Sequence, residues 1–334
     1  MQEPILSPDA CAVRREARAS YLRVGLGLFL FSLLPTALAL LLSFIFHRFA
    51  PQVLNIPYFS WIMQVVLMYG IAFPLAYLVI GRSPLAKNEP KTGGKFPFLL
   101  FFTVFCLLSG VARIGALISE LMMLIVERLT GMEQSNPVTD MLADTPLWIV
   151  FVVVVVLGPI VEELLFRRAV MERLLPFGEK SAILFSAVAF GIMHGNFYQL
   201  FYTVGMGLLI AYLYARTRDV RLPILLHMIY NFMGSIIPLS FMPLLEELTA
   251  GEPSPAWLLQ NLLPIFGMLA YVLLQLALPV VGIVLLAVFC KRIRFDPCPY
   301  PLRASEHARA CFLNAGTILF VIFTCFELAF SLFS

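Results

Sequence analysis

Nine stretches of this 334-residue chain are apolar for roughly the length that crosses a bilayer, about 20 residues each. They lie near 21–46, 58–81, 96–118, 147–170, 181–197, 199–216, 222–244, 258–290 and 311–333. None alternates apolar and polar residues as a barrel strand must. The expected architecture is therefore an all-α, polytopic transmembrane helical bundle of about nine spans. Composition agrees: 60% of residues are hydrophobic and 13% charged, where soluble domains are about 45–50% apolar and about 25% charged. The eighth run carries Pro264 and Pro279, so a kink is expected there. The third continues past Ala116 as an amphipathic extension, and 82–95 reads as a polar loop. No internal repeat and no soluble domain is evident.

Charge sets the expected orientation. Twenty of the 23 basic residues fall on one side if the chain alternates from a cytoplasmic N-terminus. Arg48 and Arg128 lie opposite, and Arg113 lies within a span. That asymmetry follows the positive-inside rule and places the C-terminus outside. The expected location is a multi-pass protein of a bacterial plasma membrane, with membrane lipid as a constant partner. A net charge of +3 without a basic aromatic patch gives no case for nucleic acid. The six cysteines form no CxxC pair, which predicts neither a disulfide framework nor a thiolate zinc site. The first residues are polar and arginine-bearing, unlike a cleavable leader.

Four charges interrupt the fourth run, in "VEELLFRRAV". A charge deep in the bilayer costs a few kcal/mol, roughly 2.5–3.5 on insertion scales, unless it is paired or faces a cavity. Glu163 and Arg167 are four apart with the acid first, the favourable order for a helical ion pair. Glu162 points about 100° away. The expected division is that Arg167 holds Glu163 while Glu162 faces a cavity. Arg168 and Arg173 are expected to snorkel to the cytoplasmic headgroups. Arg113 and Glu120 share one face of the third helix as a packing pair, and Glu327 reads as a polar contact within the bundle.

Two of the four histidines sit in apolar runs. In "FGIMH", Phe190 and His194 share a helical face; in "HMIYN", His227 and Asn231 do. Either histidine alone reads as a hydrogen-bonded core residue. Together with the glutamates they point to one site, because polar groups in lipid seek each other or water. A carboxylate and an imidazole without a nucleophilic hydroxyl suit an activated water. Ser186 lies eight residues before His194, outside any nucleophile motif. Glu162 can take the water's proton, His194 can orient that water, and His227 with Asn231 can donate to an oxyanion. A zinc ion held by Glu162, His194 and His227 is the competing version. Hydrolysis of a peptide bond with or without metal thus stays open. So do two other readings: a transporter using these residues as an ion relay, and a non-catalytic membrane scaffold or immunity protein.

"EELLFR", "FGIMH" and "HMIYN" resemble, in this order, the EExxxR, FxxxH and HxxxN motifs of the CPBP family. That family comprises type II CAAX prenyl endopeptidases and bacteriocin-processing, Abi-type membrane proteases. The resemblance covers roughly 145–245. It implies a catalytic core there, between N-terminal membrane helices (1–144) and C-terminal ones (246–334). It also implies catalytic roles for Glu162, His194, His227 and Asn231, with Glu163, Arg167 and Phe190 in support. The implied substrate is a membrane-embedded, hydrophobic or prenylated peptide. Zinc and a metal-free glutamate mechanism are both associated with the family. One length does not close: Glu162 and His194 fall at different depths unless the turn 174–180, "LLPFGEK", is submerged or the fourth helix runs deep.

Overall fold

The computed structural model describes residues 9–82, 84, 97–132, 135–143, 145–251 and 253–332. Most of the predicted 82–95 loop lies outside them. Among the described residues every regular element is helical. The helices that organise the bundle are α1 (Ala10–Phe49), α2 (Phe59–Ile80), α3 (Phe98–Thr130), α4 (Leu147–Leu174), α5 (Glu179–Ile192), α6 (Phe197–Thr217), α7 (Arg221–Gly234), α8 (Ile236–Thr249), α9 (Leu262–Phe289), α10 (Ala304–Phe312) and α11 (Ala315–Phe330).

Seven of these segments are long and apolar enough to cross a membrane, with Arg221–Thr249 counted as one. The α10–α11 pair, bent by 65°, makes an eighth if it counts as one span. The count of nine is corrected at 181–197. That run is the 14-residue helix α5, about 21 Å long at 1.5 Å per residue against a core of about 30 Å. Gly195 stops it. Its φ of +65° lies in the left-handed region, which ends a helix at little cost only for glycine. The next residue, Asn196, opens α6 by accepting from the Gln199 amide at 2.9 Å.

Helix α4 sits inside the bundle, against α5, α7 and the ends of α1 and α2. Its Phe166, Val170 and Met171, and Phe190 of α5 packed against it, are all fully buried. Elsewhere small residues bring backbones together, as expected where lipid supplies no hydrophobic drive. At the α3–α9 crossing, a Cβ on Gly282 would overlap the Cys106 carbonyl oxygen. Gly282→Ala is therefore expected to push the helices apart and cost about 1–3 kcal/mol. Gly267→Ala, whose Cβ would meet Phe241 at an ordinary 3.7 Å, is expected to be neutral. Thermal unfolding of the two variants in detergent checks this, and equal midpoints would contradict it.

Much of the turn 174–180 is buried within the protein. Leu174, Leu175 and Phe177 are buried. A C-terminal strap covers them: Tyr300 N donates to Pro176 O at 3.0 Å and Leu302 N to Phe177 O at 3.4 Å. Arg216 of α6 pairs with Glu179 and also with Asp296 of the strap. Arg173 does not snorkel. It is 1% exposed, donates to Ile80 O at 2.7 Å and meets Glu16 at 3.3 Å. An acceptor and an acid from distant helices hold it inside the protein, away from the headgroups.

Candidate active site

The site begins with a backbone irregularity. Val150–Leu157 is wound as a π-helix, and Gly158 N donates five residues back, to Val153 O. In that register the next carbonyl, Val154 O, faces the nitrogen of Pro159, which carries no hydrogen. Asn231 fills the gap, its Nδ2 donating to Val154 O at 2.9 Å. A second π-segment, Leu164–Met171, follows the glutamate pair. Wide turns of this kind recur at functional sites. Here one of them frees a carbonyl that ties α7 to α4.

This tie is testable by a double-mutant cycle. Asn231→Leu orphans a buried carbonyl, expected to cost about 1–3 kcal/mol. Pro159→Ala returns an N–H to that position, so the same Asn231 change should cost less in its presence. Additive losses in denaturation midpoints would show that the two residues do not share this carbonyl.

Glu163 lies at the centre of the polar contacts. Its Oε2 accepts from Arg167 Nε at 2.8 Å and its Oε1 from His227 Nδ1 at 3.0 Å. Neither Glu163 nor Arg167 exposes any side-chain surface. Arg167 also donates through Nη1 to Ser186 Oγ at 2.7 Å, and Ser186 Oγ donates to Phe166 O at 3.3 Å. The guanidinium stacks over Phe190, with Cζ 5.4 Å from the ring centre. Its Nη2 is buried without a hydrogen-bond partner, so the ring face is the contact that offsets its burial.

Glu162 points the other way, as the helical offset predicts. Its side chain is 15% exposed, and Oε2 stands 3.8 Å from His227 Nε2. His227 thus lies between two carboxylates, hydrogen-bonded to Glu163 and facing Glu162. Gly158 keeps the space beside Glu162 open. A Cβ there would lie 3.4 Å from Tyr69 Oη and 3.9 Å from Glu162 Oε1.

His194 occupies the non-helical turn after α5. Its Nδ1–H donates to Phe190 O at 2.8 Å, leaving Nε2 free to accept. The Phe190 ring meets both imidazoles edge-on, with centroids 5.0 Å away for His194 and 5.9 Å for His227. Glu162, Glu163, Arg167, Phe190 and His227 therefore form one contact group. Asn231 joins it through the α4 backbone. His194 joins it through Phe190, and no direct bond to Glu162 is made among the described residues. The zinc set does not close either: among the described residues no three His, Cys, Asp or Glu side chains are grouped to hold a metal ion. His227 binds Glu163 through Nδ1 and turns Nε2 toward Glu162.

Three participants were not singled out from the sequence. Ser186 was set aside as a nucleophile, yet it lies four residues before Phe190 and so shares its face, a signal that was legible. Tyr69 comes from a helix without any motif. Glu327 of α11, read only as a bundle contact, packs its Cβ against the Cα side of Gly195 and accepts from Thr36 Oγ1 at 3.4 Å. Arg113 and Glu120 do pair, at 3.7 Å and half-exposed.

The family model of Rce1-like type II CAAX prenyl endopeptidases matches residues 144–233. That segment contains every residue of the contact group. The chain is also similar to "Putative membrane peptidase YdiL" of Bacillus subtilis (strain 168), 34% identical over 111 residues. The stretch covers 32% of this chain and 43% of that relative, so less than half of the relative's length is spanned. No solved structure matches the chain. Over residues 144–233 this multi-pass membrane protein is thus similar to the Rce1-like type II CAAX prenyl endopeptidases, and that match spans about a quarter of the chain.

Proposed function

We propose that the chain is an intramembrane endopeptidase that hydrolyses a peptide bond in a hydrophobic or lipid-modified substrate, with residues 145–245 as its catalytic core. The observation that carries this reading is the asymmetry of the two glutamates. Glu163 is fully enclosed and saturated by Arg167 and His227, while its neighbour Glu162 keeps a partly exposed carboxylate beside the same imidazole.

In the proposed reaction Glu162 takes a proton from water, and the oxygen attacks the peptide carbonyl carbon. Glu162 then passes the proton to the leaving amine nitrogen, so protons balance over the step. His194 Nε2 accepts from and orients the water. The developing oxyanion is met by His227 Nε2 and by the second Nδ2 hydrogen of Asn231. With Nδ1–H given to Glu163, His227 donates from Nε2 only in its doubly protonated form. Glu163 is thus the counter-charge of that form as well as the partner of Arg167. Among the described residues no set of three ligands is grouped for a metal, and no step is routed through one.

For topology, we infer a cytoplasmic N-terminus, with the short helix α5 starting at the cytoplasmic end of α4. Glu172, Arg173, Glu179, Arg216 and Arg218 then meet at the cytoplasmic end, where Arg218 pairs with Glu172 at 2.9 Å.

The test uses the purified protein in nanodiscs, given farnesylated CAAX peptides and unmodified apolar peptides in H₂¹⁸O. The expected result is cleavage of at least one class, with a single ¹⁸O in the new carboxylate. An ion-flux assay on the same preparation addresses the relay reading. Flux without cleavage of any peptide would overturn the proposal.

A further inference from the structure

Arg113 lies about 22 Å along α3 from Phe98, inside an apolar span, where a charged side chain marks a functional site by default. Its one ion partner among the described residues is Glu120, at 3.7 Å. That separation is longer than a hydrogen bond. Among the described residues the guanidinium donates no hydrogen bond at all, so its five N–H groups are unmet.

The same side chain lines a cavity of about 210 Å³ between α3, α7 and α9. Ser109, Tyr230 and Gln275 add polar groups to the wall, and among the described residues no carboxylate lines it. Its edge is fixed: Gln275 Nε2 donates to Tyr271 Oη at 2.6 Å, and Tyr271 Oη donates to Met233 O at 2.7 Å. Gly234 leaves room, since a Cβ there would meet nothing within 4 Å.

The cavity shares α7 with the candidate active site. Tyr230 follows His227 by three residues, about 60° around the helix, and directly precedes Asn231. Tyr230 stands within electrostatic reach of both Arg113 and Tyr202, and Tyr202 within reach of Glu162. Tyr202 also meets α3 one turn from Arg113, at Gly115, where a Cβ would overlap its Cα. Two tyrosines thus lead from the cavity toward Glu162.

A guanidinium in this setting calls for an anion with a planar pair of oxygens, which a carboxylate supplies. A linear peptide ends in a carboxylate, and hydrolysis of a peptide bond creates a second one inside the membrane. We propose that Arg113 and its cavity bind a peptide carboxylate, either the C-terminus of the substrate or the one that cleavage creates. Glu120 is the resident counter-charge that this ligand displaces. The inference rests on the peptidase reading and adds a specificity site to it.

The test is equilibrium binding, by microscale thermophoresis, to the full chain in phosphatidylcholine nanodiscs, with Glu162→Gln as background so that peptides stay uncut. The probes are a farnesylated CAAX peptide as free acid and as C-terminal amide, and the same peptide truncated after the farnesylated cysteine, as free acid and as methyl ester. At least one acid is expected to bind about tenfold more tightly than its uncharged twin. A preference in the first pair assigns the C-terminus of the substrate; one in the second assigns the new carboxylate. Arg113→Gln should erase the preference and Arg113→Lys should keep part of it, which separates lost charge from lost fold. Glu120→Gln should strengthen it by removing the competing acid. Gly234→Leu, which fills the cavity, should weaken acid binding although Arg113 remains. Equal affinities within both pairs, the result of a lipid phosphate already holding Arg113, would overturn the assignment, as would a preference that survives Arg113→Gln. The ¹⁸O assay judges the peptidase reading separately, so a chain that cleaves peptides without any acid preference fails this inference alone.

Discussion

Glu162→Gln is expected to lower kcat for peptide cleavage by about 10²–10⁴, the usual worth of a positioned general base. The substitution keeps the shape and one acceptor oxygen but removes the proton acceptor. Because the nearest cationic partner of Glu162 is His227 at 3.8 Å and its side chain is partly exposed, the folding stability of the variant should change far less than its rate. Glu162→Asp should recover only part of the rate, since shortening the side chain draws the carboxylate away from His227. KM should move little in either variant, which distinguishes lost proton transfer from lost substrate binding. Steady-state kinetics with the nanodisc preparation reads both constants. A kcat within a factor of about three of wild type in Glu162→Gln would remove Glu162 from the chemistry.

Arg167→Ala is expected to be the most destabilising single change, at about 3–5 kcal/mol, because it strands a fully enclosed carboxylate. Arg167→Lys should not rescue it. The guanidinium reaches Glu163 through Nε and Ser186 through Nη1 while stacking on Phe190, and an ammonium cannot serve these three directions together. The paired change Glu163→Leu with Arg167→Met should recover much of the stability, since apolar replacement of a buried ion pair is often neutral. It should not recover activity, because His227 then loses the partner of its Nδ1. Denaturation and turnover measured on the same three variants separate the two roles. Full activity in the paired variant would mean that Glu163 does not orient His227.

The sequence made the local part of this site legible and the distant part illegible, for one physical reason. Glu163 with Arg167, and Phe190 with His194, are contacts or faces set by helical spacing, so four-residue offsets reveal them. Arg173 was misread because its partners, Glu16 and Ile80 O, come from other helices. Spacing says nothing about such a meeting. Asn231 is a mixed case. Its presence near the site was readable, but its bond to Val154 O depends on the π-register that Pro159 interrupts, and hydropathy does not distinguish α from π winding. The fold shows the same division. Long apolar runs announced helices, whereas the length of α5 turned on the Gly195–Asn196 stop and start signals within a run that hydropathy alone continues through. The strap at 295–303, which hydrogen-bonds to the buried turn after α4, was likewise illegible, because its contacts come from distant residues.

The proposed reaction requires that water reach Glu162, whose side chain is 15% exposed, and His194, but not Leu165, which is fully buried on the same helix. Thiol accessibility measures this directly. In a background with the six native cysteines replaced, Glu162→Cys and His194→Cys in nanodiscs are predicted to react with a small, charged, lipid-insoluble methanethiosulfonate, and a substrate peptide is predicted to slow both. Leu165→Cys is predicted not to react. Silence at 162 and 194, or equal labelling at all three positions, would contradict the convergence of these spans on one aqueous site.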